Sequence, residues 1–287
     1  TWHCVGAIPC GCPISKYTKI YASVLRCYRE AFPRRGDARH RVSTSNTRKR
    51  IGGKLMINVG WALCCPPFHL IPQTCFLCGD AATTLPMCSA CWADLPFQGP
   101  ACVRCAKRLQ KVGICKQCQE ASKPYTHTQA VFSYLYPLDK LILAAKFHHN
   151  MTVLNLLGHL MAQHLTIESR PDVLIPVPLH PKRLRHRGYN QSLELAKRIG
   201  KHTGIPVEMN ACQRIINTPP QTNLSGKQRQ SNLKGAFKVV RVEPHWQHLV
   251  LIDDVMTTGA TVEELASVFI AAGIKQVDVW CCAKSNQ

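Results

Sequence analysis

The sequence predicts an α/β protein, a parallel sheet flanked by helices, with a small cysteine-knuckle module in front of it. Three observations predict this. Residues 249–252 (LVLI) are an apolar run with no gaps, as in a strand buried on both faces, and an apolar-periodic helix from Val262 to Ala272 follows them. Between residues 124 and 287, short apolar runs alternate with helix-period segments. Eight cysteines fall into four C-x-x-C pairs within 75–118.

The 287 residues hold 36 Lys and Arg against 16 acidic residues, a net charge of +20. That balance points to an acidic partner: nucleic acid, a phosphorylated metabolite or a membrane surface. Half of the excess sits in residues 1–54, with 12 basic residues against 2 acidic. Residues 1–55 show neither helical nor strand periodicity, and 39–50 reads as a disordered basic stretch. Two readings fit: a nucleic-acid-binding arm, or a non-native extension ahead of a start at Met56. The second is preferred, because an ordered domain begins soon after Met56. The longest apolar run, 57–65, is about half of the ~20 residues that span a bilayer and ends at Pro66-Pro67, so no transmembrane segment is expected.

The cysteine module occupies 56–123. Its pairs are Cys75/Cys78, Cys88/Cys91, Cys102/Cys105 and Cys115/Cys118, and the second block repeats the first with a period of 27. Each C-x-x-C turn presents two thiolates on one side of a knuckle, and two knuckles complete a tetrahedral S₄ shell suited to structural Zn²⁺. One or two sites are expected. Pairing in sequence and cross-pairing both remain open, and four thiolates leave no position for a catalytic zinc. A segment this short builds little apolar core, so metal binding would supply on the order of 10 kcal/mol per site. Arg104, Lys107, Arg108, Lys111 and Lys116 give the second block a basic face. It is either a solvated surface or a contact for the backbone of single-stranded DNA, with Trp92 or Phe97 as stacking groups.

The α/β domain is read as 124–287. A strand at 130–135 leads to a helix opened by Pro137, with Leu138, Leu141, Ile142 and Ala145 on one face. A second helix covers 153–165, and 172–179 is a buried strand ended by Pro176 and Pro178. The basic stretch 180–191 then places Arg183, Arg185 and Arg187 at the end of a strand, where open α/β sheets bind ligands. Helix 192–203 closes at Gly204. Residues 213–235 read as one long polar loop, able to close over a phosphorylated substrate. Strands at 236–240 and 276–282 complete the set.

The chemistry concentrates in LVLIDDVMTTGAT, 249–261. A strand, a small polar turn and a helix N-terminus make an anion site from backbone N–H groups and the helix dipole. Asp253 and Asp254 beside it suit Mg²⁺ or sugar hydroxyls. Phosphate next to a diol describes a sugar phosphate.

This stretch resembles the phosphoribosyl pyrophosphate (PRPP) loop of type I phosphoribosyltransferases. The resemblance implies that Thr257, Thr258, Gly259, Ala260 and Thr261 hold the 5-phosphate and that Asp253 and Asp254 bind the ribose, with Mg²⁺ accompanying PRPP. Over 72–287 the order of motifs is similar to that of the ComF family, ComFC type. Phe132, Tyr134, Pro137 and Leu138 precede Lys146-Phe147. V-P-L-H-P-x-R (177–183) and R-G-Y-N-Q (187–191) follow, then T-P-P-Q-T (218–222), Arg229 with Asn232, and the PRPP loop. The resemblance implies a zinc-ribbon module on a phosphoribosyltransferase-type (Rossmann-like) domain, acting in the cytoplasm or at the inner face of the membrane in DNA uptake during natural transformation.

Two functions of different class follow. One is transfer of phosphoribosyl from PRPP to an acceptor, with Asp253 and Asp254 as catalytic residues and Arg183, Arg185 and Arg187 on the pyrophosphate. The other is a non-catalytic single-stranded-DNA factor whose PRPP site is a sensor or a relic. A scaffold for competence machinery proteins is a third. No residue marks the acceptor.

Overall fold

The computed structural model describes residues 73–82, 85–147, 150–217 and 233–285. The sequence readings on 1–55, T-P-P-Q-T, Arg229 with Asn232 and most of the polar loop 213–235 lie outside the described residues. All described residues belong to one unit, 61–287.

The chain first lays down two cysteine ribbons. The first contains the short antiparallel pair β1 (Gln73–Thr74) and β2 (Ala81–Ala82), then α1 (Ser89–Ala93). Gly79, at φ 82°, closes its first knuckle, a conformation that glycine adopts without a Cβ penalty. The second ribbon ends in α2 (Lys116–Glu120). The α/β domain continues with β3 (Thr128–Ser133), α3 (Leu138–Phe147), α4 (Met151–His164), β4 (Val173–Pro176), α5 (Pro181–Arg187) and α6 (Gln191–Thr203). Then come β5 (Cys212–Arg214), β6 (Phe237–Val239), β7 (His248–Met256), α7 (Ala260–Ala271) and β8 (Gln276–Lys284).

The main sheet has the order β3-β8-β7-β4, and every neighbouring pair is parallel. β7 is central, and Leu249, Val250, Leu251 and Ile252 are fully buried, as a gap-free apolar run requires. Successive residues serve opposite faces. Val250, Ile252, Leu174 and Trp280 pack in one core with α3, α4 and α6. Leu249, Leu251, Ile175 and Val279 pack in the other with α7 and the β5–β6 pair. The helices follow their sequence signals. Leu138, Leu141, Ile142 and Ala145 are buried along α3. Asn150 caps α4 by accepting from Val153 N at 3.1 Å, and Gly204, at φ 69°, ends α6.

Three features differ from the sequence reading. The basic stretch 180–191 contains a helix, α5, started by Pro181 at its first turn and ended by Gly188 at φ 75°. Cys212–Arg214, placed at the edge of a polar loop by the sequence, form a strand antiparallel to β6. Its inward residues are Cys212 and Arg214, a three-residue alternation too short to register as a period. The acid pair lies within β7, which runs on to Met256, rather than beyond the strand.

The first ribbon is joined to the α/β core. Cys75, Met87 and Leu95 share a cluster with Phe132, while Gln98 N donates to Val131 O at 2.9 Å and Ser133 N to Pro96 O at 2.8 Å. Trp92 and Phe97 pack against this core, with Phe97 stacked 4.9 Å from Phe132 and 4.7 Å from His164. They brace the junction, and both remain partly exposed. The second ribbon has a separate small cluster of Cys102, Cys115 and Cys118 with Cys105 and Leu109. It is fixed to the start of β3 by Thr128, whose N–H donates to Val103 O at 2.8 Å and whose hydroxyl donates to Arg104 O at 2.6 Å. No described helix is long and apolar enough to cross a membrane.

Candidate functional site

At the C-terminal end of the sheet, β7 delivers Asp253 and Asp254, and the chain then turns through Thr257, Thr258 and Gly259 into α7. Gly259, at φ 85°, is the N-cap of α7 and provides no side-chain cap. Thr258 Oγ1 takes only a long hydrogen bond from Ala260 N, at 3.4 Å, and a helix start of this kind suits an anion. A small hollow lies here, lined by Asp253, Val255 and every residue from Met256 to Val262. Thr257, Thr258, Gly259, Ala260 and Thr261, chosen from sequence, thus surround one concavity. The turn is held from below by Lys284 at the end of β8. Its buried ammonium donates to Thr257 O and, at 2.8 Å, to Ser285 O.

Asp253 and Asp254 are both partly buried, and the structure gives each its own partners. Asp253 Oδ1 accepts from Ser192 Oγ at 3.3 Å and from Asp254 N at 2.9 Å. Lys146, in the last turn of α3, meets Asp254 Oδ2 at 3.0 Å. Burial, and then the neighbouring Asp254 charge, push Asp253 up to about 7, against the opposing pull of Lys146. Burial acts to lower Lys146, but the Asp254 carboxylate and its hydrogen bond outweigh it and leave the ammonium raised. The site therefore sets the Lys146 ammonium against Asp254 beside a carboxyl, Asp253, raised to about 7.

The arginines are divided by helix geometry. Arg183 and Arg187 are half-buried on one face of α5, and Arg185 is exposed on another. Arg187 Nη1 donates to Gln191 Oε1 at 3.1 Å, and its charge is felt by Lys146. Burial and then Arg187 lower Arg183. Arg214 on β5 is 7% exposed, with its guanidinium 5.5 Å from the centre of the Phe237 ring. Burial and then Arg183 push it down to about 10, while Asp253 pulls it upward. Arg183, Arg187 and Arg214 thus form an electrostatic group with the acids, which Arg185 does not join. Beside them opens a groove of about 620 Å³ lined by His180, Leu184, Tyr189, Asn190, Met209 and Arg214 among others.

Sequence reasoning did not give Lys146, Ser192, Arg214 or Lys284 a role. Lys146 carried a weak signal, as a cation closing an otherwise apolar helix face. Lys284 ends an apolar run, VWCCA. Ser192 and Arg214 carried none, because only the three-dimensional fold brings α6 and β5 to the acids.

The eight cysteines form two groups, Cys75/Cys78/Cys88/Cys91 and Cys102/Cys105/Cys115/Cys118, each with all four Sγ atoms within 4.8 Å of one another. Pairing is therefore in sequence and not crossed. Cys78 Sγ lies 3.6 Å from Cys88 Sγ, and Cys105 Sγ 3.7 Å from Cys115 Sγ. A ZnS₄ tetrahedron with Zn–S near 2.3 Å has edges of roughly 3.8 Å, so both groups fit zinc.

Comparison with known proteins agrees with the cysteine geometry. Residues 69–119 match the model of the double zinc ribbon domain. The DNA utilization protein YhgH of Escherichia coli K12 is 30% identical over 224 residues, covering 75% of this chain and 98% of that protein. Competence protein F of Haemophilus influenzae is 30% identical over 208 residues, covering 69% of this chain and 90% of its own. Among solved structures, a B. subtilis glutamine PRPP amidotransferase overlays 45% of this chain and 25% of its own, at 20% identity and a TM-score of 0.31.

Proposed function

The chain belongs to the ComF family of competence and DNA utilization proteins, and on that premise we propose that its α/β domain binds PRPP, or a related sugar phosphate, and transfers the phosphoribosyl group to an acceptor. The observation that carries this reading is one hollow lined both by Asp253, with Asp254 next to it in β7, and by the turn that starts α7. The 5-phosphate sits on the turn 257–261, and the acids take the ribose hydroxyls. Lys146 pairs with Asp254, and Ser192 orients Asp253. Arg183 and Arg187 face the pyrophosphate. Asp253 and Asp254 fit Mg²⁺, which when bound would neutralise charge between pyrophosphate and protein. As pyrophosphate leaves C1 the ribose ring gains positive charge, and the fixed carboxylates oppose it favourably. The groove at His180, Asn190 and Arg214 gives the acceptor a place beside the acids.

We divide the chain accordingly into 1–55, a zinc-binding module at 56–123 and a phosphoribosyltransferase-like domain at 124–287. A second reading, single-stranded-DNA binding without transfer, is favoured by the second ribbon. Lys107, Arg108, Lys111 and Lys116 are exposed there beside Val112, 71% exposed, and Ile114, 40% exposed. Cations with accessible apolar groups suit a phosphate backbone and unstacked bases.

Calorimetric titration with PRPP and Mg²⁺ tests the first reading. Wild type is expected to bind, and Asp254→Asn to bind at least tenfold more weakly, because it removes the carboxylate charge while Lys146 remains. Absence of wild-type binding overturns the PRPP reading. DNA binding that persists in Asp254→Asn supports an independent nucleic-acid face.

A further inference from the structure

Tyr125 lies on the strap between the second ribbon and β3 and is 3% exposed. Its hydroxyl has no hydrogen-bond partner among the described residues. A buried donor left unsatisfied is destabilising, so its persistence calls for a physical reason. Tyr125 shares a buried cluster with Met256, Ala260 and Val262 of the turn and α7. A Cβ built on Gly259 would stand 3.4 Å from Tyr125 Oη and 2.6 Å from Met256 Cε. The strap is held at both sides: Lys123 Nζ meets Glu263 Oε2 of α7 at 2.8 Å, and Thr126 N donates to Val277 O at 2.8 Å.

Three carbonyls of the turn are already engaged. Met256 O accepts from Ser285 N, Thr257 O from Lys284 Nζ and Gly259 O from Glu263 N. Among the described residues the Thr258 carbonyl accepts no hydrogen bond. It belongs to the same peptide unit as the Gly259 N–H, and in a trans peptide the two point in opposite directions. If Gly259 N–H turns outward to an anion, Thr258 C=O turns inward, towards the side where Tyr125 lies.

From this geometry we propose that Tyr125 is a positioning residue of the turn, its Oη–H donating to the Thr258 carbonyl when the Gly259 N–H engages the phosphate of a sugar-phosphate ligand. The inference rests on the proposed reading of the turn as a phosphate site. It makes the free protein carry an unmet donor that ligand binding satisfies, and it links the strap of the second ribbon to phosphate affinity.

Tyr125→Phe keeps the ring and removes only the hydroxyl. Titrations of wild type and variant with PRPP, ribose 5-phosphate and pyrophosphate, each with Mg²⁺, separate the contributions. The variant is expected to lose roughly five- to tenfold in affinity for PRPP and ribose 5-phosphate, and none for pyrophosphate. Its melting temperature without ligand should equal or exceed that of wild type, since an unsatisfied group has been removed. Equal ribose 5-phosphate affinity in the two proteins overturns the proposal. So does a variant that weakens for all three ligands while melting lower, because that marks a merely structural role. If wild type binds neither PRPP nor ribose 5-phosphate, the reading of the turn falls first, and the role of Tyr125 with it.

Discussion

Asp253 shows how one side chain trades stability for chemistry. Its ordinary pKa is 3.8, and burial together with Asp254 raises it to about 7. In the interval between these values the unfolded chain has released a proton that the folded chain keeps. Stability contributed by this group is therefore lost as pH rises from about 4 to about 7 and does not change further above that. Asp253→Asn removes the ionisation while keeping the shape and an acceptor for Ser192. Without ligand, the variant is expected to match wild type near pH 4 and to gain relative stability steadily up to about pH 7. Above that the advantage stays constant. Denaturant midpoints across that range measure it, and a constant difference at every pH would show that folding does not raise Asp253 above its unfolded value. The same variant should bind PRPP weakly, so it separates the stability of the site from its use. Lys146 works in the other direction: its partly buried ammonium meets Asp254 Oδ2 at 3.0 Å, in a place where an isolated charge is costly.

At the level of elements, the two ribbons share a ligand set but not a support. The first contributes Cys75 to the main core, yet Cys78 is exposed. The second has three of its four cysteines buried but only Leu109 packed beside them. A chelator should therefore strip metal from the first site faster, through Cys78, while metal loss from the second should unfold more structure, because little apolar contact remains to hold it. Zinc release followed by a colorimetric chelator is expected in two phases, the fast one abolished by Cys78→Ser and the slow one by Cys118→Ser. Amide exchange should then open mainly across 101–120 when the slow phase completes. A single phase, or opening of the first ribbon instead, would contradict this assignment. The ribbons were legible in the sequence because ligand spacing is a local property, and the same holds for β7 and its turn, where strand, acids and glycine are contiguous. Helices α3, α4 and α6 were legible from their apolar spacing. What escaped was non-local or short. Pro181 masked a helix as a loop, three residues of β5 carried too little alternation, and Lys146, Ser192 and Arg214 reach the acids only through tertiary packing.

For the molecule as a whole, the test of the nucleic-acid reading is whether net charge or one face would govern such binding. The chain carries +20, half of it in residues 1–54, so a purely global attraction would weaken greatly when that segment is removed. A local face would not. Each phosphate neutralised on a single strand adds about 0.7 to the slope of log affinity against log salt. If the second ribbon makes the contacts, a chain lacking 1–55 keeps the wild-type slope. Lys107→Glu with Lys111→Glu then lowers the slope by roughly 1.4, one increment for each lost phosphate contact. Fluorescence anisotropy of a short labelled single strand over a range of salt concentrations reads both. The ribbon pair should also lose affinity without changing PRPP binding, because the acids and the turn lie at the end of β7 and these lysines do not line that hollow. A slope that falls on removing 1–55 and ignores the ribbon substitutions would move the nucleic-acid contact to the N-terminal segment. The two ribbons would then be left as a fixed support of the main sheet, which their hydrogen bonds to β3 already make them.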